Sequence, residues 1–258
     1  MRRHATSLVV LATAVVLAGC ADNTSESAKR STTGASSGVS DSEAQRYVFA
    51  RLHDRYGAAH RLVAYQDFSD VLPNTQFKAP GEPAETYSEL VVRGRIADVA
   101  PGFAFVVDSD DDPSGTRADF DTKGAAWKTV HITVAVTESL AGGKVPGDQV
   151  TVGYSIDADT DFELVKQGLV SLDEVVLPLY KSPAFSYDPA LYGIVADGGL
   201  LAVTGSGGLR FPALSPPEEA QMLGNGALDT VPEVRTAGDQ PMETVPAEVA
   251  GDSLVPTS

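Results

Sequence analysis

The 258-residue sequence contains one cysteine, one tryptophan and four histidines. One cysteine cannot close an intramolecular disulfide, and it cannot supply a cysteine-based zinc or iron–sulfur site. Basic residues are also scarce, since 19 Lys and Arg stand against 35 Asp and Glu, for a formal net charge of −16. Because each phosphate contact needs a compensating cation, this balance argues against nucleic acid as a partner.

The sequence also lacks an apolar run of the ~20 residues that a membrane-spanning helix needs. Its longest apolar stretch, Leu8 to Leu17, follows the basic residues Arg2-Arg3-His4 and precedes the small residues Ala18-Gly19. A short apolar segment with these flanks is typical of a signal peptide. We therefore expect residues 1–19 to be removed and the mature chain to contain no transmembrane helix.

The residues Leu17-Ala18-Gly19-Cys20 resemble a bacterial lipobox. In lipoproteins with this motif, the signal peptide is cut before the cysteine, whose thiol carries a diacylglyceryl group and whose amino group is often acylated. The resemblance implies that Cys20 carries lipid, including palmitate, and holds the chain on the extracytoplasmic face of the cell membrane. Residues 20–40, rich in Ser, Thr, Gly and Ala, would then form a flexible tether. An ordinary signal peptide with an incidental cysteine is the alternative.

The remaining chain divides into a helix, an irregular connection, a β-domain and a tail. Asp41-Ser42-Glu43 place acidic residues at the start of a helix predicted over residues 41–57, and Gly57 is a natural helix end. Prolines predict an irregular connection over residues 58–84. The acidic, Pro-rich sequence of residues 214–258 predicts a disordered tail.

Alternation of apolar and polar residues predicts several strands within residues 85–213. The clearest strand is 129–140, where valine and isoleucine alternate with threonine and histidine. Residues 175–180 form an unbroken apolar run, typical of a buried strand, and residues 192–204 read as a hairpin that turns at Asp197-Gly198. Five to six strands with few helices favour a mainly β fold, a small antiparallel barrel, because closure removes unpaired strand edges.

Several segments resemble motifs in uncharacterised secreted proteins and lipoproteins of high-GC Gram-positive bacteria. They are Glu89–Ile96 (ELVVRGRI), Val134–Gly143, Gly147–Val152 (GDQVTV) and Gly193–Gly199. The resemblance covers about residues 85–205 and implies an OB-like β-barrel, without an activity to transfer. Gly94 lies in the first strand, where such a barrel would bend sharply. Pro178-Leu179 replaces the Phe-Leu pair usual in those proteins, and proline favours an edge position.

Two acidic runs are candidate calcium ligands. Asp108, Asp110 and Asp112 have the alternating spacing of a calcium-binding loop, although Pro113 occupies the place of the turn glycine. A second run repeats the alternation at Asp157, Asp159 and Asp161. Two solvated surface loops without a metal are the alternative that we favour.

The two acidic runs come together only in one arrangement of strands. If Phe103 to Val107 extend the first strand, the loops after the first and third strands lie at one end of the barrel and raise a negative potential there. If Pro101-Gly102 is instead a hairpin turn, the two runs separate.

No catalytic set stands out in the sequence. His131 lies among threonines on the outward side of its strand, and Trp127 and Phe120 are candidates for an aromatic binding face, with packing as the alternative. We expect a non-catalytic, lipid-anchored binding or structural module of the cell envelope, without a cofactor, whose partner is an envelope protein or glycan. A calcium-responsive module and an envelope hydrolase with a dispersed site are the alternatives.

Overall fold

The computed structural model describes ten ranges of the chain. They are residues 39–62, 68–78, 80–81, 83–107, 115–145, 147–181, 188–195, 200–217, 219–220 and 228–246, with the backbone alone for residues 52–62. The secondary structure in these ranges is mainly β. The prediction of a mainly β fold is therefore confirmed.

The helices are given first and the strands second, each numbered along the chain. Helices α1, α2 and α3 span Asp41–Leu62, Phe162–Val170 and Val231–Gly238, and a short 3-10 helix spans Phe68–Val71. The strands are β1 Thr75–Lys78, β2 Leu90–Val106, β3 Thr116–Asp119, β4 Trp127–Gly142, β5 Gln149–Asp157, β6 Val175–Tyr180, β7 Leu191–Ile194, β8 Leu201–Val203, β9 Leu209–Arg210 and β10 Glu243–Pro246.

Eight strands form one large sheet in the order β3-β2-β4-β5-β7-β6-β8-β9. The long strand β2 pairs with β4 over most of its length, with β6 along Leu90–Gly94 and with β3 along Phe103–Val106. Neighbouring strands run antiparallel except β5 and β7, which are parallel. Because β2 is shared in this way, its two halves lie in different surroundings.

The inner side of the sheet encloses an apolar core. Alternate residues of β4 and β5 point into it, as the period of two predicts. Its buried members include Val130, Ile132, Val134, Val150, Val152, Tyr154 and Ile156. Helices α1 and α2 contribute Val48 and Leu169 to the same core. The predicted inward residues of these two strands are confirmed.

A second apolar cluster covers part of the outer side of the sheet. Val91 of β2 and Leu140 of β4 point outward into this cluster. The other side comes from the 3-10 helix, the short strands β8 and β9, the residue after β9, and helix α3. Their buried side chains are Phe68, Leu201, Leu209, Phe211, Val231 and Val234. This cluster, which we call the outer cluster, covers the sheet at the first half of β2.

The prediction of a disordered tail from residue 214 is wrong for residues 228–246. Helix α3 begins with a capping box, in which Glu233 accepts a hydrogen bond from the Thr230 amide, and buries Val234 in the outer cluster. Strand β10 pairs in parallel with β1. Tertiary packing of a short amphipathic helix outweighs the acidic composition of the segment.

The connection predicted to be irregular over residues 58–84 also contains regular structure. Helix α1 begins at Asp41, as expected, but continues through Gly57 to Leu62. An isolated glycine weakens a helix by about 1 kcal/mol without having to end it. The 3-10 helix and β1 follow in the same region.

Two predictions about strand neighbours are wrong. β7 and β8 do not form the predicted hairpin, because β6 lies between them and pairs with both. The strand containing Pro178 is not an edge strand, since β6 also pairs with β2. Pro178 pairs with Val91 of β2, and its carbonyl accepts a hydrogen bond from the Val195 amide at 2.9 Å. None of the helices within the described ranges is long and apolar enough to cross a membrane.

Candidate binding face

The second half of β2 carries aromatic residues on the outer side of the sheet. Phe105 pairs with Trp127 of β4 and with Arg117 of β3, so the three side chains lie on one face. Phe103 and His131 lie on the same face, at even spacing from Phe105 and Trp127 along their strands. Arg117 is exposed and the other four are half-buried. We call these five residues the aromatic face.

Ring contacts hold the aromatic face together. The rings of Phe105 and Trp127 are stacked, with centroids 5.2 Å apart and planes 9° apart. The Cζ atom of Arg117 lies 4.6 Å from the ring centroid of Phe103, within the range of a cation–π contact. Phe103 in turn meets His131 edge to face, at 5.9 Å between centroids. The side chains are therefore positioned by one another before any ligand binds.

The backbone at Phe103 is fixed by a buried threonine. The Thr129 Oγ1 accepts a hydrogen bond from the Phe103 amide at 3.0 Å and donates one to the Phe103 carbonyl at 3.3 Å. The β2–β4 register shifts between Pro101 and Ala104. A Cβ at Gly102 would lie 2.6 Å from the Thr129 Oγ1, so only glycine fits there. This irregularity directs Phe103 onto the outer side.

Polar groups border the aromatic rings. Asp157 of β5 pairs with Trp127, Ser155 pairs with Thr129, and Asp119 of β3 pairs with Phe103. Because paired residues share a face, two carboxylates and a hydroxyl lie beside the rings, together with the guanidinium of Arg117. The face thus offers both hydrogen-bond donors and acceptors around an apolar centre.

His131 contributes a neutral ring to the aromatic face at pH 7. Its partial burial lowers the pKa of its imidazole below the ordinary value, and the opposing effect of the Asp188 carboxylate is smaller. Its Nε2 is buried and has no hydrogen-bond partner among the described residues. The prediction that His131 points outward is confirmed, but it serves as an aromatic contact rather than as a second cation.

The predicted pair of Trp127 and Phe120 is divided by the structure. Trp127 is part of the aromatic face, whereas Phe120 packs against the inner core and meets Phe162 edge to face at 5.6 Å. Trp127 instead stacks on Phe105, and Phe103 joins the same face through Arg117 and His131. Neither phenylalanine was predicted from the sequence as a site residue. The sequence contains these two phenylalanines at alternate positions, which indicates a shared face once β2 is known to continue through Pro101-Gly102.

The second acidic run is used for structural contacts. The Asp159 carboxylate pairs with the Arg51 guanidinium at 3.1 Å. The Asp161 carboxylate caps α2 by accepting a hydrogen bond from the Glu163 amide at 2.9 Å. Asp157 closes β5 beside the aromatic face. Over the described ranges, no three His, Cys, Asp or Glu residues are grouped closely enough to hold a metal ion.

The other predicted site residues lie outside the described residues. They are Cys20, Asp108, Asp110 and Asp112. Calcium binding by the first acidic run stays the alternative to a metal-free loop. The predicted extension of the first strand is confirmed, since β2 runs to Val106. Pairing from Phe105 through Trp127 to Asp157 places the end of β2 and the end of β5 at the same end of the sheet.

Comparison with known proteins finds no matching family model, no matching curated protein and no matching solved structure.

Proposed function

We propose that the protein is a non-catalytic binding module of the cell envelope, anchored by lipid on the extracytoplasmic side of the membrane. The aromatic face carries this proposal. On an outer sheet face that no other described element covers, polar side chains are expected, whereas here Phe103, Phe105 and Trp127 remain partly exposed beside an arginine. Aromatic and arginine side chains are the residue types that most often dominate binding.

We also propose that the strands β2, β4, β5, β7 and β6 form a small OB-like barrel. The support is that β2 pairs with both β4 and β6, so the path of strand pairing returns to its start. Gly94 supports the sharp bend that closure requires. A Cβ at this position would collide with the Ala135 carbonyl and lie 2.8 Å from the Val134 Cγ1. Such a barrel presents the aromatic face on its outer surface.

The proposed anchor rests on the sequence Leu17-Ala18-Gly19-Cys20. Removal of the signal peptide would also remove Arg2 and Arg3 and make an acidic chain more negative. Attraction to anionic headgroups then contributes nothing to membrane binding, so the lipid must provide it. The tether would hold the aromatic face away from the bilayer, where envelope polymers are accessible.

A Cys20→Ser variant tests the anchor. We expect the wild-type protein in the membrane fraction of the cells that encode it and the variant in the medium, because the serine hydroxyl does not accept the lipid. Mass spectrometry of the membrane-extracted wild type should show a mass increase of attached acyl chains. Retention of the variant in the membrane at the normal processed size would contradict the proposal.

Cosedimentation with delipidated cell envelopes tests the binding function. We expect the full chain in mild detergent to sediment with the envelopes and the Arg117→Ala variant to do so less. Arg95→Ala is the matched control, since it removes the same charge from an exposed position of β2 outside the aromatic face. Equal sedimentation of both variants would exclude the aromatic face as the binding surface, and absence of sedimentation of the wild type would contradict the binding function itself.

A further inference from the structure

We infer that the ligand of the aromatic face is an uncharged glycan. This inference rests on the proposed binding function and adds the chemical class of the ligand. It follows from three properties of the aromatic face: the combination of rings with hydrogen-bonding groups, the local charge and the size of the surface.

The side-chain chemistry matches a sugar polymer. A sugar ring has apolar C–H faces, which stack on aromatic rings, and a rim of hydroxyl groups that both donate and accept hydrogen bonds. Phe105 and Trp127 supply the apolar surface, and each is held by the other in a parallel stack. The guanidinium of Arg117 donates to hydroxyl oxygens, and the carboxylates of Asp119 and Asp157 accept from hydroxyl hydrogens through charge-assisted bonds.

The charge of the surface disfavours a polyanion. Arg117 is the cation of the aromatic face, and Asp119 and Asp157 on the paired strands outweigh it. His131 adds no positive charge at pH 7, because its partial burial favours the neutral form. The whole chain carries a formal charge of −16, which repels phosphate-rich polymers and anionic headgroups at longer range. A ligand with little or no charge meets none of this repulsion.

The size of the aromatic face distinguishes a glycan from a protein partner. The distance from β3 to β4 is about 10 Å, and Trp127 and His131 are about 13 Å apart along β4. A stable protein–protein interface buries about 800 Å² on each partner, several times the area that these dimensions enclose. An added peptide strand would need free backbone groups, yet β2 and β4 are paired on both sides along this stretch, and the edge strand β3 is only four residues long. A short stretch of sugars fits the available area.

The only tryptophan of the chain lies on the aromatic face, so its fluorescence reports binding directly. Envelope polysaccharides, released from delipidated envelopes and treated with protease, are separated by anion exchange into an unretained neutral fraction and a retained anionic fraction. Each fraction is titrated into the full chain in mild detergent. We expect a saturable change in Trp127 emission with the neutral fraction.

Three variants give the assignment its control. Phe103→Ala and Arg117→Ala should each weaken the binding of the neutral fraction by at least about tenfold, the effect of ~1.4 kcal/mol. Arg95→Ala should leave it within about twofold. Arg117 is exposed, so its replacement tests binding without disturbing the core. Equal binding by Arg117→Ala and Arg95→Ala would overturn the inference.

The outcomes separate this inference from the function on which it rests. Saturable binding of the anionic fraction without the neutral fraction would overturn the glycan assignment. Envelope sedimentation that protease treatment abolishes would overturn it too, and would show a protein ligand while leaving the binding function intact. Absence of any envelope binding by the wild type would contradict the proposed function and this inference together.

Discussion

The two halves of β2 show how one strand serves two purposes. Along Leu90–Gly94 the strand pairs with β4 and β6, and its outward residue Val91 is fully buried in the outer cluster. Along Phe103–Val106 it pairs with β3 and β4, and its outward residues are half-exposed phenylalanines. The same sheet therefore has a covered half and an open half.

The charged residues of the two halves also make different contacts. On the covered half, Arg93 pairs with Glu174, and Glu138 pairs with Arg235 of α3 at 2.6 Å, so these charges bind one another. On the open half, the guanidinium of Arg117 lies over an aromatic ring. Ion pairs across the covered half stabilise the fold, whereas stacked rings beside an exposed guanidinium are suited to a ligand. Stability and recognition are thus separated along one strand.

The largest expected difference between the halves is in unfolding free energy after removal of an apolar side chain. Leu140 of β4 lies in the outer cluster and is 2% exposed, so Leu140→Ala should cost about 2–5 kcal/mol through lost burial and a cavity. Phe105→Ala removes a half-exposed ring and should cost about 1–2 kcal/mol. Urea unfolding followed by circular dichroism measures both. A larger loss in the Phe105 variant would show that the open half is structural.

Substitution of Gly94, in the covered half of β2, should have an intermediate effect on the free energy of unfolding. Gly94→Ala places a methyl group against the Ala135 carbonyl and should cost about 1–3 kcal/mol, because the close approach of β2 and β4 must relax. Gly143→Ala is the matched control, since no atom lies within 4 Å of its Cβ position. It should change the unfolding free energy by less than about 0.5 kcal/mol. Equal effects at both glycines would mean that the strands do not approach closely at Gly94.

The charged pairs of the covered half should contribute less than its apolar contacts. Glu174→Gln keeps a hydrogen-bond acceptor for Arg93 but removes the charge, and should cost about 1 kcal/mol at low salt. The difference from wild type should shrink in 1 M salt, where the Debye length is about 3 Å. Arg117→Ala on the open half removes a cation–π contact and should cost about 0.5–1 kcal/mol. A Glu174→Gln effect independent of salt would contradict the ion pair.

The sequence predicted the parts of the fold that follow from local periodicity. The alternation in β4 and β5 fixed which residues point inward, because one face of each strand is buried. The apolar run of β6 indicated a buried strand, and all but its last residue are buried. These patterns depend on the geometry of a single strand and need no knowledge of its neighbours.

The wrong predictions concern features that depend on tertiary neighbours, or segments whose composition conceals a short element. The Asp197-Gly198 signal predicted a hairpin between adjacent strands, but no local signal indicates that β6 lies between β7 and β8. The Pro- and Glu-rich tail concealed α3, whose eight residues are stabilised by a cap and by packing rather than by propensity. Asp161 was considered only as a candidate calcium ligand or a solvated loop residue, although the same residue type caps helices, and α2 was missed with it.

The aromatic face was only partly predictable for a related reason. Trp127 was recognised, but its partners depended on whether Pro101-Gly102 is a turn or part of a strand, and the sequence left both open. Strand β2 continues because Gly102 allows close approach to Thr129, whose hydroxyl binds the Phe103 backbone. This contact joins residues 26 positions apart, which periodicity cannot reveal.

The smallest expected effect concerns the titration of the open half. Burial lowers the pKa of the folded His131 below its ordinary value of about 6.5, more than Asp188 raises it. Above that pH the His131 imidazole is neutral in both the folded and the unfolded state, and its titration takes nothing from the free energy of unfolding. As the pH falls toward the folded pKa, the unfolded chain gains the proton first and stability declines. The decline should be absent in His131→Asn and steeper in Asp188→Asn, since the carboxylate that supports protonation is gone. Urea unfolding from about pH 7.5 to about pH 5.5 measures it. A gain in stability of the wild type relative to His131→Asn as the pH falls would show that the pKa of His131 is raised instead, and that the imidazole of the aromatic face acts as a cation.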